Sequence, residues 1–189
     1  LVLDRFNSIE PMLGETGKTV FGAYFKLQSF VFMPVFGINN AVLAITAYNY
    51  GARKPERINK VLRFGVLGAS ALMVVGMALF EFFPQALLGF FNPDAQMLRV
   101  GVPALRILCI PFIPAGVCII FGGVFQALGK SLYSMFVSIA RQLLVLIPAA
   151  YLLSLTDRID AVWFAFPIAE LVSLAVSVIL MLRVRKHQI

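Results

Sequence analysis

The sequence predicts an all-α, polytopic membrane helix bundle with five transmembrane helices. Of its 189 residues, 60% are hydrophobic and 13% are charged, whereas a soluble domain has about 45–50% apolar and about 25% charged residues. Five apolar runs are each long enough to cross a hydrocarbon core about 30 Å thick. These runs are continuous, whereas a membrane β-strand alternates over about ten residues. The composition therefore excludes a soluble globular enzyme, a disordered chain and a β-barrel.

Short polar or glycine- and proline-containing segments separate the five spans, which we name A to E. We expect A at about 22–50, B at about 61–83, C at about 101–125, D at about 133–155 and E at about 161–182. The mixed, polar residues 1–21 are expected to be an outer loop or the remnant of a preceding helix. Residues 22–189 then form the five-helix bundle, which ends in a basic tail.

Span A carries polar side chains along one helical face. Gln28, Asn39, Thr46 and Asn49 follow steps of three and four residues, and such steps keep side chains on one side of a helix. Polar groups inside a membrane are costly unless they face a cavity or a partner. We therefore expect this face of span A to border a polar space.

Spans B and C lack a polar stripe of this kind and contain small residues and prolines instead. In span B, Gly65, Ala69 and Gly76 share a face and form a small-residue seam of the kind that packs helices closely, so B is predicted to be scaffold. In span C, Pro111 and Pro114 fall near the middle and each removes a helix hydrogen bond. Together with Pro34 in span A, they are our candidates for hinges at which helices bend.

Spans D and E repeat the polar stripe of span A. The stripe of D contains Ser134, Ser138 and Arg141, and that of E contains Glu170 and Ser173. We therefore expect A, D and E to surround a shared polar cavity. The candidate cavity residues are Gln28, Asn39, Thr46, Arg141, Glu170 and Ser173.

Arg141 and Glu170 are both expected deep in the membrane. At 1.5 Å per residue, Arg141 lies about 12 Å and Glu170 about 18 Å from one end of its span. A lone charge at that depth costs roughly 2.5–3.5 kcal/mol, so we predict that the two side chains pair. The pair is either a structural salt bridge that locks D against E or a switchable site, in which Glu170 alternates between Arg141, a proton and a cationic ligand.

The placement of charge predicts the orientation. The A–B loop, the C–D turn and the tail together carry nine basic residues and one acid. An excess of Lys and Arg in short loops marks the cytoplasmic side, so the C-terminus is expected inside the cell, with the bundle in the plasma (cell inner) membrane. The net charge of +7 then reflects topology, and no nucleic-acid partner is expected.

The chain lacks the residues of common enzyme sites. Cys109 and Cys118 are nine residues apart in one apolar run, and they point to opposite sides of a helix. They are therefore expected to form neither a local disulfide nor a metal pair. The only histidine, His187, lies in the basic tail, and no glycine-rich phosphate loop follows a strand. We expect no enzymatic activity, no metal and no cofactor.

Several segments of the sequence carry a family resemblance. Residues 24–42 read Tyr-Phe-Lys-Leu-Gln-Ser-Phe-Val-Phe-Met-Pro-Val-Phe-Gly-Ile-Asn-Asn-Ala-Val, residues 123–129 read Gly-Val-Phe-Gln-Ala-Leu-Gly, and residues 163–170 read Trp-Phe-Ala-Phe-Pro-Ile-Ala-Glu. With residues 47–53 and 56–58 and with Arg141-Gln142 ahead of Pro148, they resemble the multidrug and toxic compound extrusion (MATE) family. The match in order and spacing covers nearly the whole chain.

The resemblance implies a fold, a function and partners. Such transporters have two six-helix bundles around a central cavity and exchange sodium ions or protons for organic cations and other xenobiotics by alternating access. Spans A to E would be the eighth to twelfth helices, about five-sixths of the C-terminal bundle, and the N-terminal half would be the missing partner. Span C contains no Asp or Glu, so the resemblance assigns no coupling carboxylate to it.

Two alternatives to a drug and cation antiporter remain at this point. A lipid-linked oligosaccharide flippase of the same superfold would have a cavity richer in cationic residues than Arg106 and Arg141 provide. A structural membrane protein would use the polar stripes only for hydrogen bonds between helices, which are worth about 0.6–2 kcal/mol each.

Overall fold

A computed structural model of the chain describes Leu3, residues 13–156 and residues 158–188. Nine α-helices and one π-helical segment make up its longer elements, and these described residues contain no β-strand. In chain order they are α1 (Leu13–Gly51), α2 (Pro55–Phe82), α3 (Pro84–Gly89), α4 (Ala95–Cys109), α5 (Phe112–Ala127), α6 (Ser131–Ile139), the π-helical segment (Ala140–Leu146), α7 (Ile147–Ser154), α8 (Ile159–Trp163) and α9 (Ala165–Gln188). The all-α prediction is confirmed.

The number of membrane-spanning units agrees with the five predicted spans. Four stretches are long and apolar enough to cross a membrane: Leu13–Gly51, Pro55–Phe82, Ser131–Ser154 and Ile159–Lys186. The helices α4 and α5 meet the same test only as a pair, and they are bent by 47° at the break between them. Counted as one broken span, the pair completes a set of five.

Within the described residues the first helix already includes Leu13, upstream of its predicted start near residue 22. Residues 13–21 are therefore helical and continuous with span A, and they are neither an outer loop nor a separate helix. The helical extension has a local cause, because Gly17, Val20 and Tyr24 continue the buried face of the helix upstream of residue 22. Apart from Leu3, the expected loop or remnant over residues 1–12 lies outside the described residues.

Span C, predicted as one helix over about 101–125, is two helices. Asp94 caps the first of them, accepting a hydrogen bond of 2.6 Å from the Met97 amide, so α4 starts at Ala95. The break falls at Ile110 and Pro111, where proline has no amide hydrogen to continue the ladder. Nearby, the Tyr24 hydroxyl donates a buried hydrogen bond of 3.4 Å to the Leu108 carbonyl. The side chain thereby binds a carbonyl that the break deprives of its regular helical partner.

The helix α5 lies at the centre of the bundle and is in contact with α1, α2, α6 and α9. On one side, aromatic rings of α1, α2 and α5 meet edge to face, with ring centroids 5.4 Å apart for Phe32 and Phe112 and 5.1 Å for Phe80 and Phe112. On the other side, the π-helical segment packs against α9. This arrangement places the polar stripes of spans D and E beside α5.

The small-residue seam of span B packs against α1, as its sequence indicated. A Cβ atom built on Gly65 would lie 2.6 Å from Val42 Cγ2, and one built on Gly76 would overlap the side chain of Val31. Both valines are on α1, so the two glycines allow the backbones of α1 and α2 to approach closely.

Two turns at the basic end of the bundle have the same geometry but different residues. After α1, the Arg53 amide donates to the Tyr50 carbonyl and the Lys54 amide to the Asn49 carbonyl; after α5, Gly129 and Lys130 donate in the same pattern. This is the Schellman pattern, which requires a left-handed residue and favours glycine there. Gly129 meets the requirement at φ 71°, but Arg53 occupies it at φ 53°.

We therefore expect Arg53→Gly to raise the free energy of unfolding by about 1 kcal/mol, since a side chain in the left-handed region is strained by roughly 1–2 kcal/mol. Thermal unfolding of the purified protein measures the change. Gly129→Ala is the matched control and should lower stability by a similar amount, because no atom lies within 4 Å to clash with its Cβ and only the backbone changes. A fall in stability for Arg53→Gly would contradict the assignment of strain.

Candidate functional site

A cavity of about 750 Å³ lies between α1, α5, the segment from α6 into the π-helix, and α9. Its polar lining comes from all four of these elements: Gln28, Ser29, Asn39, Gln126, Ser134, Ser138, Arg141, Gln142, Ser173 and Ser177. Aromatic rings of Phe25, Phe32, Phe36 and Phe125 complete much of the wall. The polar stripes of spans A, D and E thus face one shared cavity, as the spacing predicted.

The six candidate residues divide into three groups. Gln28, Asn39, Arg141 and Ser173 line the cavity. Glu170 is not among the lining residues but pairs with Arg141 directly behind the wall. Thr46 is fully buried and lies away from the cavity lining, so the prediction that it faces the cavity is wrong. The stripe of α1 leaves the cavity after Asn39, and the following residues Val42 and Thr46 are buried in the bundle instead.

Asn39 packs closely against α5 because Gly123, the residue that it contacts there, has no side chain. A Cβ atom on Gly123 would overlap the Asn39 amide, so glycine is needed for α5 to pass this close. The Asn39 Oδ1 atom is buried and has no hydrogen-bond partner among the described residues. The Asn39 oxygen therefore faces the α5 backbone at Gly123, while the residue as a whole contributes to the cavity wall.

Arg141 and Gln142 line the cavity from the π-helical segment. In a regular α-helix consecutive side chains point 100° apart, whereas a π-helix has wider turns that shift this phase. Pro148 lies just after the segment and cannot donate to the Leu144 carbonyl, which favours such a rearrangement. The three residues of the predicted stripe of span D, Ser134, Ser138 and Arg141, all line the cavity, whereas Pro148 is exposed outside it.

Arg141 and Glu170 form the predicted ion pair. The Arg141 Nη1 atom lies 2.8 Å from Glu170 Oε2, with 36% of the arginine side chain and 9% of the glutamate side chain exposed. The second carboxylate oxygen, Oε1, is buried and has no partner within the described part of the chain. The pairing prediction is confirmed, and one oxygen of the carboxylate is left unsatisfied.

Next to the pair, Ser173 links α9 to α5. Its hydroxyl lies 3.8 Å from the Cys118 sulfur, and both side chains line the cavity. Also in the cavity lining, the Gln126 amide nitrogen lies 3.4 Å from the Ser134 hydroxyl oxygen. These contacts tie the α5 wall to the walls formed by α6 and α9.

The sequence analysis missed the contribution of α5 to the cavity. Ala115, Cys118, Gly122 and Gln126 lie three to four residues apart and all line it. That spacing is visible in the sequence. The residues are small or weakly polar, however, so they did not indicate a polar face, and the analysis of span C considered only its prolines. Gln142 was missed for another reason, since it directly follows Arg141 and so lies outside the steps of three and four residues that define the stripe.

The three hinge candidates differ in their surroundings. Pro111 lies at the 47° break between α4 and α5, whereas Pro114 lies in the first turn of α5. Pro34 lies inside α1, which continues through it without interruption. The bend predicted for span C is thus present in the structure, and movement at any of the three prolines stays a prediction.

The described residues contain no cluster of three or more His, Cys, Asp and Glu side chains that could hold a metal ion. Cys109 and Cys118 are both free thiols, one on each side of the break. The described cavity lining therefore offers one guanidinium, several amides and hydroxyls, one thiol and aromatic rings.

Comparisons with known proteins give consistent matches. The profile of the MatE family matches residues 10–152. Among curated proteins, the chain is 28% identical over 154 residues to a FAD transporter of Shewanella oneidensis, covering 80% of this chain and 33% of that protein. It is 26% identical over 163 residues to the probable multidrug resistance protein YoeA of Bacillus subtilis, covering 85% and 35%. The chain thus spans about a third of the length of these relatives.

Solved structures show the same similarity. The MATE multidrug transporter DinF-BH has a TM-score of 0.80 and 35% identity to the chain, covering 96% of this chain and 39% of that one. The inward-facing conformation of a multidrug resistance MATE family transporter has a TM-score of 0.85 at 18% identity, covering 100% and 44%. At 18% identity, the similarity to the inward-facing transporter shows only that the two chains share a fold.

Proposed function

Because the chain belongs to the MatE family of membrane transporters, we propose that it forms part of a secondary active transporter that exports small amphipathic organic molecules by alternating access. Members of this family are transporters and not enzymes, and their fold implies a lipid bilayer as environment. The exported molecules, the coupling ion and the rest of the transport machinery are parts of the proposal.

The observation that carries the proposal is the cavity. Its volume is about 750 Å³. Pockets that bind drug-sized ligands typically have volumes of roughly 300–1,000 Å³. Aromatic rings and a few polar groups line it, and that mixture suits molecules with an apolar body and few polar atoms. One of its walls is α5, which belongs to the one pair of helices among the described spans that is bent at a break.

The names of the relatives support small organic molecules as the cargo. They include a FAD transporter, a probable multidrug resistance protein and the multidrug export protein MepA of Staphylococcus aureus. We extend to this chain only what these names share, which is the movement of an organic molecule across a membrane.

Sodium ions or protons are the proposed coupling ions, and Glu170 is their candidate site. Its carboxylate is buried beside the cavity, and Oε1 has no partner within the residues described. A proton or a sodium ion at this carboxylate would compete with Arg141 for it. Binding of the ion would then change the charge that the cavity presents.

We propose an orientation of the bundle in the membrane from its basic residues, and a partner from its exposed apolar side chains. Basic residues cluster on the A–B loop and the C-terminal tail, so we propose a cytoplasmic C-terminus in the plasma (cell inner) membrane. Large apolar side chains are exposed outside the cavity on α1, α6 and the π-helical segment, for example Phe30, Met135 and Leu143. We propose that a second helix bundle of the transporter covers part of this surface and that lipid covers the rest.

Dye export under controlled gradients tests the proposal. The protein, as its gene encodes it, is placed in inside-out membrane vesicles, and the uptake of fluorescent aromatic dyes is followed while the sodium and proton gradients are collapsed in turn. We expect uptake to depend on one of the two gradients and to be absent from vesicles without the protein. Uptake that responds to neither gradient would contradict the antiporter proposal. The flippase and the structural protein gain no support from the comparisons.

A further inference from the structure

We propose that Arg141 is the substrate-anchoring residue of the cavity and that it binds an acidic group on an aromatic or otherwise apolar molecule. The inference rests on the proposed transport function and names the substrate class of that same site. It differs from the organic cations that the family resemblance suggested, and it follows from which member of the ion pair faces the cavity.

The two charges of the pair are not equally accessible. Arg141 lines the cavity and 36% of its side chain is exposed, whereas Glu170 is 9% exposed and lies outside the lining. Of the described residues that line the cavity, Arg141 is the one with a charged side chain. Of these two charges, a molecule in the cavity therefore contacts the guanidinium, and a cationic molecule would face a like charge.

The guanidinium retains donors for a ligand. Arginine carries five N–H donors in a planar fork, and its recorded bond among the described residues uses Nη1 with Glu170 Oε2. The remaining donors can bind a carboxylate, sulfonate or phosphate in the two-pronged geometry that arginine favours. Glu170 then acts as a positioning residue, which holds the guanidinium at the wall and competes with the ligand for it.

The rest of the lining fits an acid with an aromatic body. Phe25, Phe32 and Phe36 contribute aromatic rings to the lining from α1, whereas Arg141 contributes from the π-helical segment. Amide groups of Gln28 and Gln142 lie in the same lining and can bind further polar atoms of the ligand. A planar ring system can thus pack against the phenylalanines while its acidic group reaches Arg141.

A pair of dyes with the same ring system and opposite charge tests the inference. Fluorescein is an anionic xanthene and rhodamine 123 a cationic one. Binding of each to the purified full-length protein in a neutral detergent is followed by fluorescence polarisation, which needs no ion gradient. We expect fluorescein to bind about tenfold or more tightly than rhodamine 123, because hydrogen bonds to a charged partner are worth that ratio or more.

Two variants separate the anchor from the stability of the fold. Arg141→Gln alone leaves Glu170 buried without its partner, so the decisive variant is Arg141→Gln with Glu170→Gln, which removes both charges together. This double variant should lose fluorescein affinity about ten- to hundredfold and leave rhodamine 123 binding unchanged. Glu170→Gln alone should increase fluorescein affinity, since it removes the internal competitor for the guanidinium.

A matched control exists in the chain. Arg106 Nε and Glu81 Oε1 lie 3.7 Å apart, and neither residue lines the cavity. Arg106→Gln with Glu81→Gln removes the same two charges and should leave both dye affinities unchanged. Equal fluorescein affinity in the wild type and in the Arg141→Gln, Glu170→Gln double variant would overturn the inference, and so would a wild-type preference for rhodamine 123.

The acidic group could belong to a soluble molecule or to a lipid. Short-chain phosphatidylglycerol and phosphatidylcholine are therefore added separately as competitors. Displacement of fluorescein by phosphatidylglycerol alone supports the anchor with a lipid headgroup as its ligand, and no displacement by either lipid supports the anchor with a soluble acid. If vesicles move neither dye while this binding pattern holds, the transport proposal fails and the binding inference stands.

Discussion

Replacing Arg141 with methionine should destabilise the protein by about 3–5 kcal/mol, the range for removing one partner of a buried ion pair. The loss comes from Glu170, which is 9% exposed and already has one oxygen without a partner. Without the guanidinium, neither carboxylate oxygen keeps a bond that the structure records. The thermal unfolding midpoint of the purified protein in detergent should fall by several degrees.

Glu170→Met should cost less than Arg141→Met. The guanidinium that remains is 36% exposed and reaches the cavity, where water can solvate it. Replacing both residues with methionine should restore most of the lost stability, because an apolar pair of similar volume often replaces a buried ion pair at little cost. This recovery distinguishes the energy of the pair from the penalty of an unpaired charge.

The double variant also separates the two interpretations of the pair. A purely structural salt bridge predicts that export recovers together with stability. A site that takes part in transport predicts a stable double variant with no export. Equal unfolding midpoints for the wild type and both single variants would contradict the burial argument itself.

Replacing Pro111 with alanine should slow export by about tenfold without loss of stability. Alanine restores an amide hydrogen that can bond to the Ile107 carbonyl, so α4 and α5 can join into a straighter helix. Alanine is favoured over proline inside a helix by about 3 kcal/mol, and a bias of about 1.4 kcal/mol toward the straight form already changes the ratio of two conformers tenfold. The initial rate of dye uptake into vesicles and the unfolding midpoint measure the two effects.

Pro114→Ala is the control for this change. Pro114 lies in the first turn of α5, where amide hydrogens have no partner within the helix, so in the bent form the substitution adds no hydrogen bond within α5. It should leave the rate of export within about twofold of the wild type, on the scale of surface substitutions worth about ±0.5 kcal/mol. Equal slowing by both substitutions would argue against the break as the point of bending.

The sequence predicted those parts of the site that depend on regular helical phase. Gln28 and Asn39 on α1, and Ser173 on α9, line the cavity because uninterrupted helices keep side chains three or four residues apart on one face. The same reasoning, with the cost of charge in a membrane, predicted that Arg141 pairs with Glu170. It failed at Thr46, because helical phase says which face a residue is on but not where along that face the cavity ends.

Composition and periodicity by themselves determined that this chain is a helical membrane bundle, since only helices with internal hydrogen bonds satisfy an apolar run of that length in lipid. Tertiary structure alone decided which charge faces the cavity. The π-helical turns before Pro148 and the close passage of Gly123 beside Asn39 set the walls, and packing against α9 places Glu170 behind Arg141. The physical reason is that depth and face are local properties of one helix, whereas exposure depends on what the neighbouring helices leave uncovered.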